Sequence, residues 1–209
     1  MVFQKDYFRR IGQSFFGGDV MQCVILAAGS SIRLGKDKAL IDVGPQALIS
    51  WISQRLYGRV GNITIVTNET NFEEISKIVS HAHVVLNPDP HKGRTGSLKV
   101  GIESIDSSGA EDYRLLVVPV DRPGFSDSTL ERLISSVQTC CPMREGRGGH
   151  PLALTCEDVE KVRKSSANLP LREVIEAIRF EVSDRFLDLN IDTPEDAVNL
   201  YEILKLVND

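Results

Sequence analysis

Short apolar runs alternate with amphipathic stretches along most of the chain. Five apolar runs are predicted as buried strands, at Met21–Ala27, Ile63–Thr67, Val84–Leu86, Leu115–Val120 and near Phe186–Ile191. Apolar residues at helical spacing predict the helices, at Ile49–Val60, Phe72–Val79, Leu98–Ile105, Leu130–Val137, Glu157–Lys164, Leu171–Ala177 and from Pro194. Residues 142–155 are predicted as a loop that leads into an extended segment. Strands alternating with helices predict an α/β, Rossmann-like three-layer fold with a mostly parallel sheet.

The first twenty residues precede the first predicted strand and form a separate segment in this interpretation. Apolar side chains between Phe3 and Phe15 fit an amphipathic helix. We expect this helix to dock on the surface of the domain, in preference to a membrane surface or a partner. Residues 21–209 contain no repeat or linker, so they are predicted to form a single domain.

Charge and cysteine content narrow the class of protein. The formal net charge is -5, which argues against a nucleic-acid-binding surface. None of the four cysteines forms a C-x-x-C pair, and two of them, Cys140 and Cys141, are adjacent, so reduced thiols and a cytoplasmic protein are expected. The longest apolar stretch, Cys23 to Ala28, is too short to span a bilayer.

A glycine-rich basic loop follows the first predicted strand. Its sequence, L-A-A-G-S-S-I-R-L-G-K-D-K from Leu26 to Lys38, offers small residues, backbone N–H groups and cations to a phosphate. It is not a P-loop, because the glycine spacing differs and Asp37 stands where Ser or Thr is required. It is not a dinucleotide fingerprint either, since Ser31 occupies the second glycine position. A tight strand-to-helix turn with a solvated basic face is the alternative. The residues of the loop that we predict to bind a nucleotide are Leu26, Ala27, Ala28, Gly29, Ser30, Arg33, Gly35 and Lys38.

Two acidic positions are candidates for a divalent cation. Asp121 ends the most hydrophobic predicted strand, and ligands of open α/β sheets bind beyond the carboxyl ends of strands. Asn190 and Asp192 alternate with Ile191, so both face the same side of an extended segment. Oxygen ligands of this kind suit Mg²⁺, with Mn²⁺ as a substitute. The alternative is that Asp192 or Thr193 caps the helix that begins at Pro194, and for Asp192 the roles of cap and ligand are equally favoured.

Four motifs in order resemble the MobA-like nucleotidyltransferases, a family that makes nucleotide forms of the molybdenum cofactor. The first is the glycine-rich loop described above. The others are V-V-P-V-D-R-P at Val117–Pro123, G-R-G-G-H-P at Gly146–Pro151 and N-I-D-T-P-E-D at Asn190–Asp196. The family often has Asp where this chain has Asn190, which puts one charge of the expected metal site in doubt.

The resemblance implies a role for individual residues. Lys38 is expected beside the α-phosphate, Arg33 at the β- and γ-phosphates, and Asp121 on the metal, as the catalytic set. Gly149 and His150 are implied in acceptor binding. The segment Gly93–Leu98 resembles the base-recognition loop of cytidylyltransferases, with Arg94 and Ser97 as nucleotide contacts, although Ser97 also suits a helix N-cap.

The function implied is Mg²⁺-dependent transfer of a nucleoside monophosphate from an NTP to a phosphorylated acceptor. The resemblance implies molybdopterin as the acceptor. CTP is expected as the donor because Ala28 replaces a glycine typical of the guanylyltransferases, where its methyl group crowds a purine, and because of the R-T-G-S-L loop at Arg94–Leu98. Transfer of GMP, or of CMP to another small molecule, is the alternative within this chemistry. A non-catalytic factor that delivers the cofactor to a molybdoenzyme is the alternative of another class. His81 and His83 have metal-ligand spacing but no third ligand nearby, and no G-x-S-x-G motif supports a hydrolase.

Overall fold

The computed structural model describes residues 20–31 and 34–208. Its strands are β1 (Met21–Leu26), β2 (Asp42–Val43), β3 (Gln46–Ala47), β4 (Ile63–Thr67), β5 (His83–Leu86), β6 (Arg114–Pro119), β7 (Cys140–Arg144), β8 (Arg147–Gly148), β9 (Leu152–Leu154) and β10 (Ile178–Glu181). Its α-helices are α1 (Leu48–Leu56), α2 (Phe72–Ile78), α3 (Gly93–Ser107), α4 (Asp127–Ser135), α5 (Cys156–Lys164), α6 (Leu171–Val174), α7 (Pro194–Ala197) and α8 (Leu200–Lys205). Short 3₁₀ helices span Lys38–Leu40 and Pro90–Lys92.

The main sheet has the order β10-β7-β9-β6-β1-β4-β5, and β8 pairs with β7. Strands β6, β1, β4 and β5 are mutually parallel, whereas β9 is antiparallel to both β6 and β7. The chain moves from β1 outward to β5 and then returns to β6 on the other side of β1. The point where strand order reverses, and where a ligand cleft is expected, therefore lies between β1 and β6.

Apolar clusters cover both faces of this sheet, as the predicted three-layer fold requires. Alternate residues of β1 point to opposite faces: Cys23 and Ile25 belong to one cluster, with α1 and α4, and Val24 to the other, with α3 and α5. Helix α3 lies close to the sheet, and Gly101 permits this because it has no side chain. A Cβ at that position would be 2.8 Å from a methyl group of Val24. None of the helices within the described residues has the length and apolar character that a bilayer crossing needs.

The structure corrects several predicted elements. The predicted loop that starts at residue 142 is wrong, because β7 and β8 form an antiparallel pair there. The extended segment predicted to follow it is confirmed as β9, which pairs with β7 and β6. Strand β10, which pairs with β7, was not predicted. Its only buried residue is Phe180, and the neighbouring Arg179 and Glu181 are exposed, so the strand has no apolar run. Phe186–Ile191 is wrong as a strand, since it contains turns that position the following carboxylate.

Two predicted helices differ from the structure at their ends. Helix α3 begins at Gly93 rather than near Leu98, so the predicted base-recognition loop is helical. The C-terminal helix is divided into α7 and α8 by Asn199 in the left-handed region, at φ 59°. The prediction for residues 1–20 falls outside the described residues except at Val20, and the single-domain organisation stays a prediction.

Candidate functional site

A cleft of about 630 Å³ opens at the carboxyl edge of the sheet, between β1 and β6. This volume lies in the range of small-molecule sites. Its walls include the strand ends, the first residues of α3 and the segment that precedes α7. The residues predicted as site residues that line it are Leu26, Ala27, Ala28, Gly29, Ser30, Lys38, Arg94, Ser97, Asp121 and Asp192.

Lys38 joins two carboxylates at one end of this cleft. Its Nζ forms an ion pair with Oδ1 of Asp192 and lies 3.6 Å from Oδ2 of Asp121. The three side chains are only 15–25% exposed, which reduces the screening of their charges by solvent. The backbone N–H of Lys38 donates to Ser31 Oγ over 3.1 Å. Lys38, predicted on the first loop, and two of the three predicted metal ligands thus converge on one point.

The capping alternative for Asp192 is resolved by its neighbours. Thr193 is the N-cap of α7, and it forms a reciprocal capping box with Asp196. Asp192 is therefore not needed as the cap, and its side chain faces Lys38 and Asn190. The amide nitrogen of Asn190 donates to Asp192 Oδ2 over 2.7 Å. A carboxylate only accepts hydrogen bonds, so this contact fixes which way the Asn190 amide is oriented. The amide oxygen is then the one side-chain atom of Asn190 that could bind a metal ion.

The segment that carries Asp192 is held against the end of β6. Ile191 is fully buried, and its N–H donates to the carbonyl oxygen of Asp121. Asp184 accepts hydrogen bonds from both the N–H and the hydroxyl of Ser126. Gly124 permits the backbone at Phe186 to approach the segment after β6, since a Cβ on residue 124 would lie 1.8 Å from the carbonyl oxygen of Phe186. The positions of Asp121 and Asp192 are thus fixed by backbone packing.

Two buried asparagines, which the sequence analysis missed, support the first loop. Asn68 donates to the carbonyl oxygen of Gly29, and Asn71 donates to the carbonyl oxygen of Ala27 and to Asp37. Asp37 in turn caps the 3₁₀ helix that begins at Lys38, by accepting from the N–H of Ala39. Burial raises the pKa of Asp37, while the bonds from Ala39 and Asn71 act in the opposite direction. Asn71 therefore connects the end of β1 to the residue that precedes Lys38.

The opposite wall of the cleft is the start of α3. Arg94 is exposed along it, and Ser97 is buried inside the helix, where its hydroxyl donates to the carbonyl oxygen of Gly93. Asn87 donates to the same hydroxyl over 3.0 Å. Ser97 is therefore not the predicted N-cap, and its proton is already used within the protein. His91, which received no predicted role, also lines this wall.

The predicted acceptor residues lie outside the lining of the cleft. His150 follows Gly149 and is joined to Pro151 by a cis peptide bond. Its buried Nδ1 has no hydrogen-bond partner among the described residues. Burial lowers the pKa of His150 to about 4, with the charges of Arg94 and Arg122 acting in the same direction and Asp121 opposing them. The imidazole is therefore neutral at pH 7.

Other predicted positions contribute less to the site. Arg33 lies outside the described residues. Gly35 is exposed, with φ at 76°, and does not line the cleft. His81 packs edge-on against Tyr57, with ring centroids 4.9 Å apart. Across residues 20–31 and 34–208, no group of three or more His, Cys, Asp or Glu side chains is arranged to hold a metal ion. Nothing observed in these ranges contradicts the prediction that His81 and His83 do not form a metal site.

Asp121 and Asp192 nevertheless suit Mg²⁺ or Mn²⁺. They present carboxylate oxygens to one shared cation, the ammonium group of Lys38. Mg²⁺ is commonly held by one or two carboxylates, with substrate phosphates and water completing six oxygen ligands. The donor set therefore fits a metal that is bound together with a phosphorylated ligand.

The fold and this edge of the sheet define the class of an α/β protein with a ligand cleft at a topological switch point. Residues 23–182 match the model of the MobA-like NTP transferase domain, so the chain belongs to that family. The chain is 31% identical over 123 residues to the molybdenum cofactor guanylyltransferase of Shewanella putrefaciens, covering 57% of this chain and 58% of that protein. It is 33% identical over 110 residues to the putative molybdenum cofactor guanylyltransferase of Neisseria meningitidis serogroup B, covering 52% and 56%. The chain thus spans less than two thirds of these relatives.

Solved structures share the fold at lower sequence identity. A nucleotidyl transferase from Methanothermobacter thermautotroptrophicus superposes with a TM-score of 0.72 at 20% identity, over 91% of this chain and all of that one. The molybdopterin-guanine dinucleotide biosynthesis protein A from Archaeoglobus fulgidus gives a TM-score of 0.63 at 18% identity, over 88% and 99%. At these identities the likeness establishes the fold alone.

Proposed function

We propose that this protein is a nucleotidyltransferase that moves a nucleoside monophosphate from an NTP to the phosphate of molybdopterin and releases pyrophosphate. The observation that carries the proposal is the convergence of Lys38, Asp121 and Asp192 beside the glycine-rich loop. A cation from the first loop and two acids from distant segments meet where an NTP's phosphates would lie. Family membership supports the same chemistry.

The transfer is an in-line displacement at the α-phosphorus. An acceptor phosphate oxygen forms the new P–O bond, the bond from the α-phosphorus to the bridging oxygen breaks, and pyrophosphate carries away the electron pair. All reactants are anionic, so the protein's main task is to align them and neutralise charge. Mg²⁺ held by Asp121 and Asp192, with Mn²⁺ as a substitute, supplies positive charge to the phosphate oxygens when bound.

The protein's own groups are assigned to the remaining tasks. Lys38 approaches the α-phosphate as a point charge, and Arg33 is assigned to the leaving pyrophosphate. Backbone N–H groups of Ala28, Gly29 and Ser30, which line the cleft, are assigned to the triphosphate. Asn190 orients Asp192 rather than adding a charge. Gly149 and His150 are assigned to the acceptor, where the neutral imidazole offers one N–H donor and one acceptor nitrogen.

The base that is bound distinguishes two forms of the proposal. The relatives named above are guanylyltransferases, which favours GTP. The observation that favours CTP is Ala28, which lines the cleft and is buried to 4% exposure, so its methyl group narrows the space for a purine. A methyl group discriminates by about 1–3 kcal/mol, which is too little to outweigh the relatives. We therefore put GTP first and CTP second.

A screen of the four NTPs with molybdopterin and Mg²⁺, with products identified by mass spectrometry, tests this function. We expect a dinucleotide form of the pterin and stoichiometric pyrophosphate, with GTP above CTP. Asp121→Asn is expected to lower the rate by at least about 100-fold. The matched control is Asp112→Asn, an exposed aspartate whose φ of 50° suits asparagine.

A non-catalytic factor that binds the nucleotide and delivers the cofactor to a molybdoenzyme is the competing function. It predicts that the protein binds an NTP but that no pterin acceptor yields a product or pyrophosphate. That result would replace the transferase proposal.

A further inference from the structure

One lysine partly compensates the charges of the two acidic residues. Lys38 contacts Asp192 and lies 3.6 Å from Asp121, so one ammonium group serves both carboxylates. Asn190 donates to the second oxygen of Asp192. Both acids are at most 25% exposed, so compensation by the lysine replaces much of the water that a bare carboxylate would bind.

A divalent ion held by both carboxylates would compete with the Lys38 ammonium for the same oxygens. An ion bound to both carboxylates would lie within about 4 Å of Nζ, and the repulsion between such charges exceeds thermal energy several-fold at an effective dielectric constant of about 20. The described residues supply no third acidic, His or Cys ligand that would offset this repulsion. A divalent ion alone therefore competes poorly with the lysine.

A triphosphate changes both the number of ligands available to the metal ion and the partner available to Lys38. Its oxygens complete the coordination shell that two carboxylates leave unfilled, and its negative charge offers the lysine a new partner. The backbone of Lys38 is fixed by the 3₁₀ helix and by the bond from its N–H to Ser31 Oγ. The side chain alone needs to move, and its flexible four-carbon stem permits this.

We infer that Lys38 is the resident counter-cation of the Asp121–Asp192 pair and excludes a divalent ion until a triphosphate draws the lysine away. Metal and nucleotide then bind together, and the carboxylates are not left unpaired at any stage. The identity of the triphosphate rests on the proposed function. The exclusion itself is measurable without any transfer reaction.

Titration of the full chain with Mn²⁺ alone, followed by the EPR signal of the free ion, tests this exclusion. Wild-type protein is expected to bind Mn²⁺ weakly. Lys38→Met removes the charge and keeps the side-chain length, and it is expected to bind Mn²⁺ roughly tenfold more tightly or better. Lys36→Met neutralises an exposed lysine of the same loop and should match the wild type. Lys38→Arg keeps the charge and should also bind weakly.

A second pair of variants locates the gained affinity. Combining Lys38→Met with Asp192→Asn should abolish the gain, because one of the two carboxylates is then lost. Thermal unfolding is recorded for each variant, and Lys38→Gln replaces Lys38→Met if the latter does not fold. The inference is overturned if neutral variants at position 38 bind Mn²⁺ within twofold of the wild type. It is also overturned if the gain survives the loss of Asp192.

The two proposals fail separately. A gain of Mn²⁺ affinity without any nucleotidyl transfer leaves the counter-cation role intact and overturns the proposed function. Transfer activity without a gain in the Lys38→Met variant does the reverse.

Discussion

The N–H of Ile191 donates to the carbonyl oxygen of Asp121 over 3.1 Å. This bond joins two segments that lie seventy residues apart in the chain and carry the two acids that face Lys38. Because it is a backbone contact, the spacing of the acids depends on main-chain packing rather than on the flexibility of long side chains. Changes that disturb this packing are therefore expected to affect the site without touching its charged groups.

Gly124→Ala is predicted to destabilise the protein and to impair the site together. The added Cβ would lie 1.8 Å from the carbonyl oxygen of Phe186, so the segment before Asp192 must move. We expect a loss of about 3 kcal/mol in the free energy of unfolding, measured by urea denaturation, and weaker nucleotide binding. Gly109→Ala is the control, since nothing lies within 4 Å of its Cβ and only its φ of 82° is strained. It should cost about 1 kcal/mol and leave binding unchanged. Equal effects of the two variants would contradict the close-approach argument.

Asn71→Ala is predicted to weaken nucleotide binding through the first loop. The substitution removes the donors to Ala27 and Asp37 and leaves the buried carbonyl oxygen of Ala27 without this partner, at a cost of about 1–3 kcal/mol in stability. The dissociation constant for the NTP should rise, as measured by calorimetry. Glu69→Ala, an exposed position in the same turn, is the control and should change neither quantity. Unchanged affinity in a destabilised Asn71→Ala variant would limit this residue to a structural role.

Asp192 and Thr193 are predicted to have separate roles. Thr193→Ala removes the N-cap of α7 and should lower the free energy of unfolding by about 1 kcal/mol while retaining most of the transfer rate. Asp192→Asn should lower the transfer rate by at least about 100-fold with a smaller effect on stability. Steady-state kinetics beside thermal unfolding distinguishes the two. The opposite pattern would return Asp192 to the role of a helix cap.

His150 is predicted to make stability depend on pH in a defined window. Its pKa is lowered to about 4, chiefly by burial, whereas the unfolded chain has an ordinary histidine near 6.5. Between these values the unfolded state binds more protons, so stability rises with pH from about 4 to 6.5, by at most about 3 kcal/mol. Urea denaturation of His150→Gln should show a smaller rise over this window than the wild type. Parallel pH profiles for the two proteins would show that His150 is not the cause.

The parallel half of the sheet follows from local sequence, whereas the antiparallel half does not. Strand β4 lies at the predicted Ile63–Thr67, since a buried parallel strand is a continuous apolar run. Strands β7 and β10 contain Arg144, Arg179 and Glu181, because part of each strand is accessible to solvent. A short strand of mixed polarity has no distinctive pattern, and its pairing is fixed by distant partners.

The site shows the same division between local and distant information. The alternation around Ile191 predicted that Asn190 and Asp192 share a side, and the two side chains are hydrogen-bonded. The ion pair from Lys38 to Asp192 spans 154 residues, which no local pattern encodes. Asn68 and Asn71 were missed although they follow β4 at the carboxyl edge. Polar residues directly after a buried strand are the signal that would have found them.

A crystal structure with Mn²⁺ and a non-hydrolysable GTP or CTP analogue, using the anomalous signal of manganese, tests the central claim directly. We expect a metal peak within coordination distance of oxygens of both Asp121 and Asp192, with Lys38 Nζ moved onto a phosphate oxygen. A metal bound elsewhere, or a nucleotide bound while Lys38 stays paired with Asp192, would contradict it.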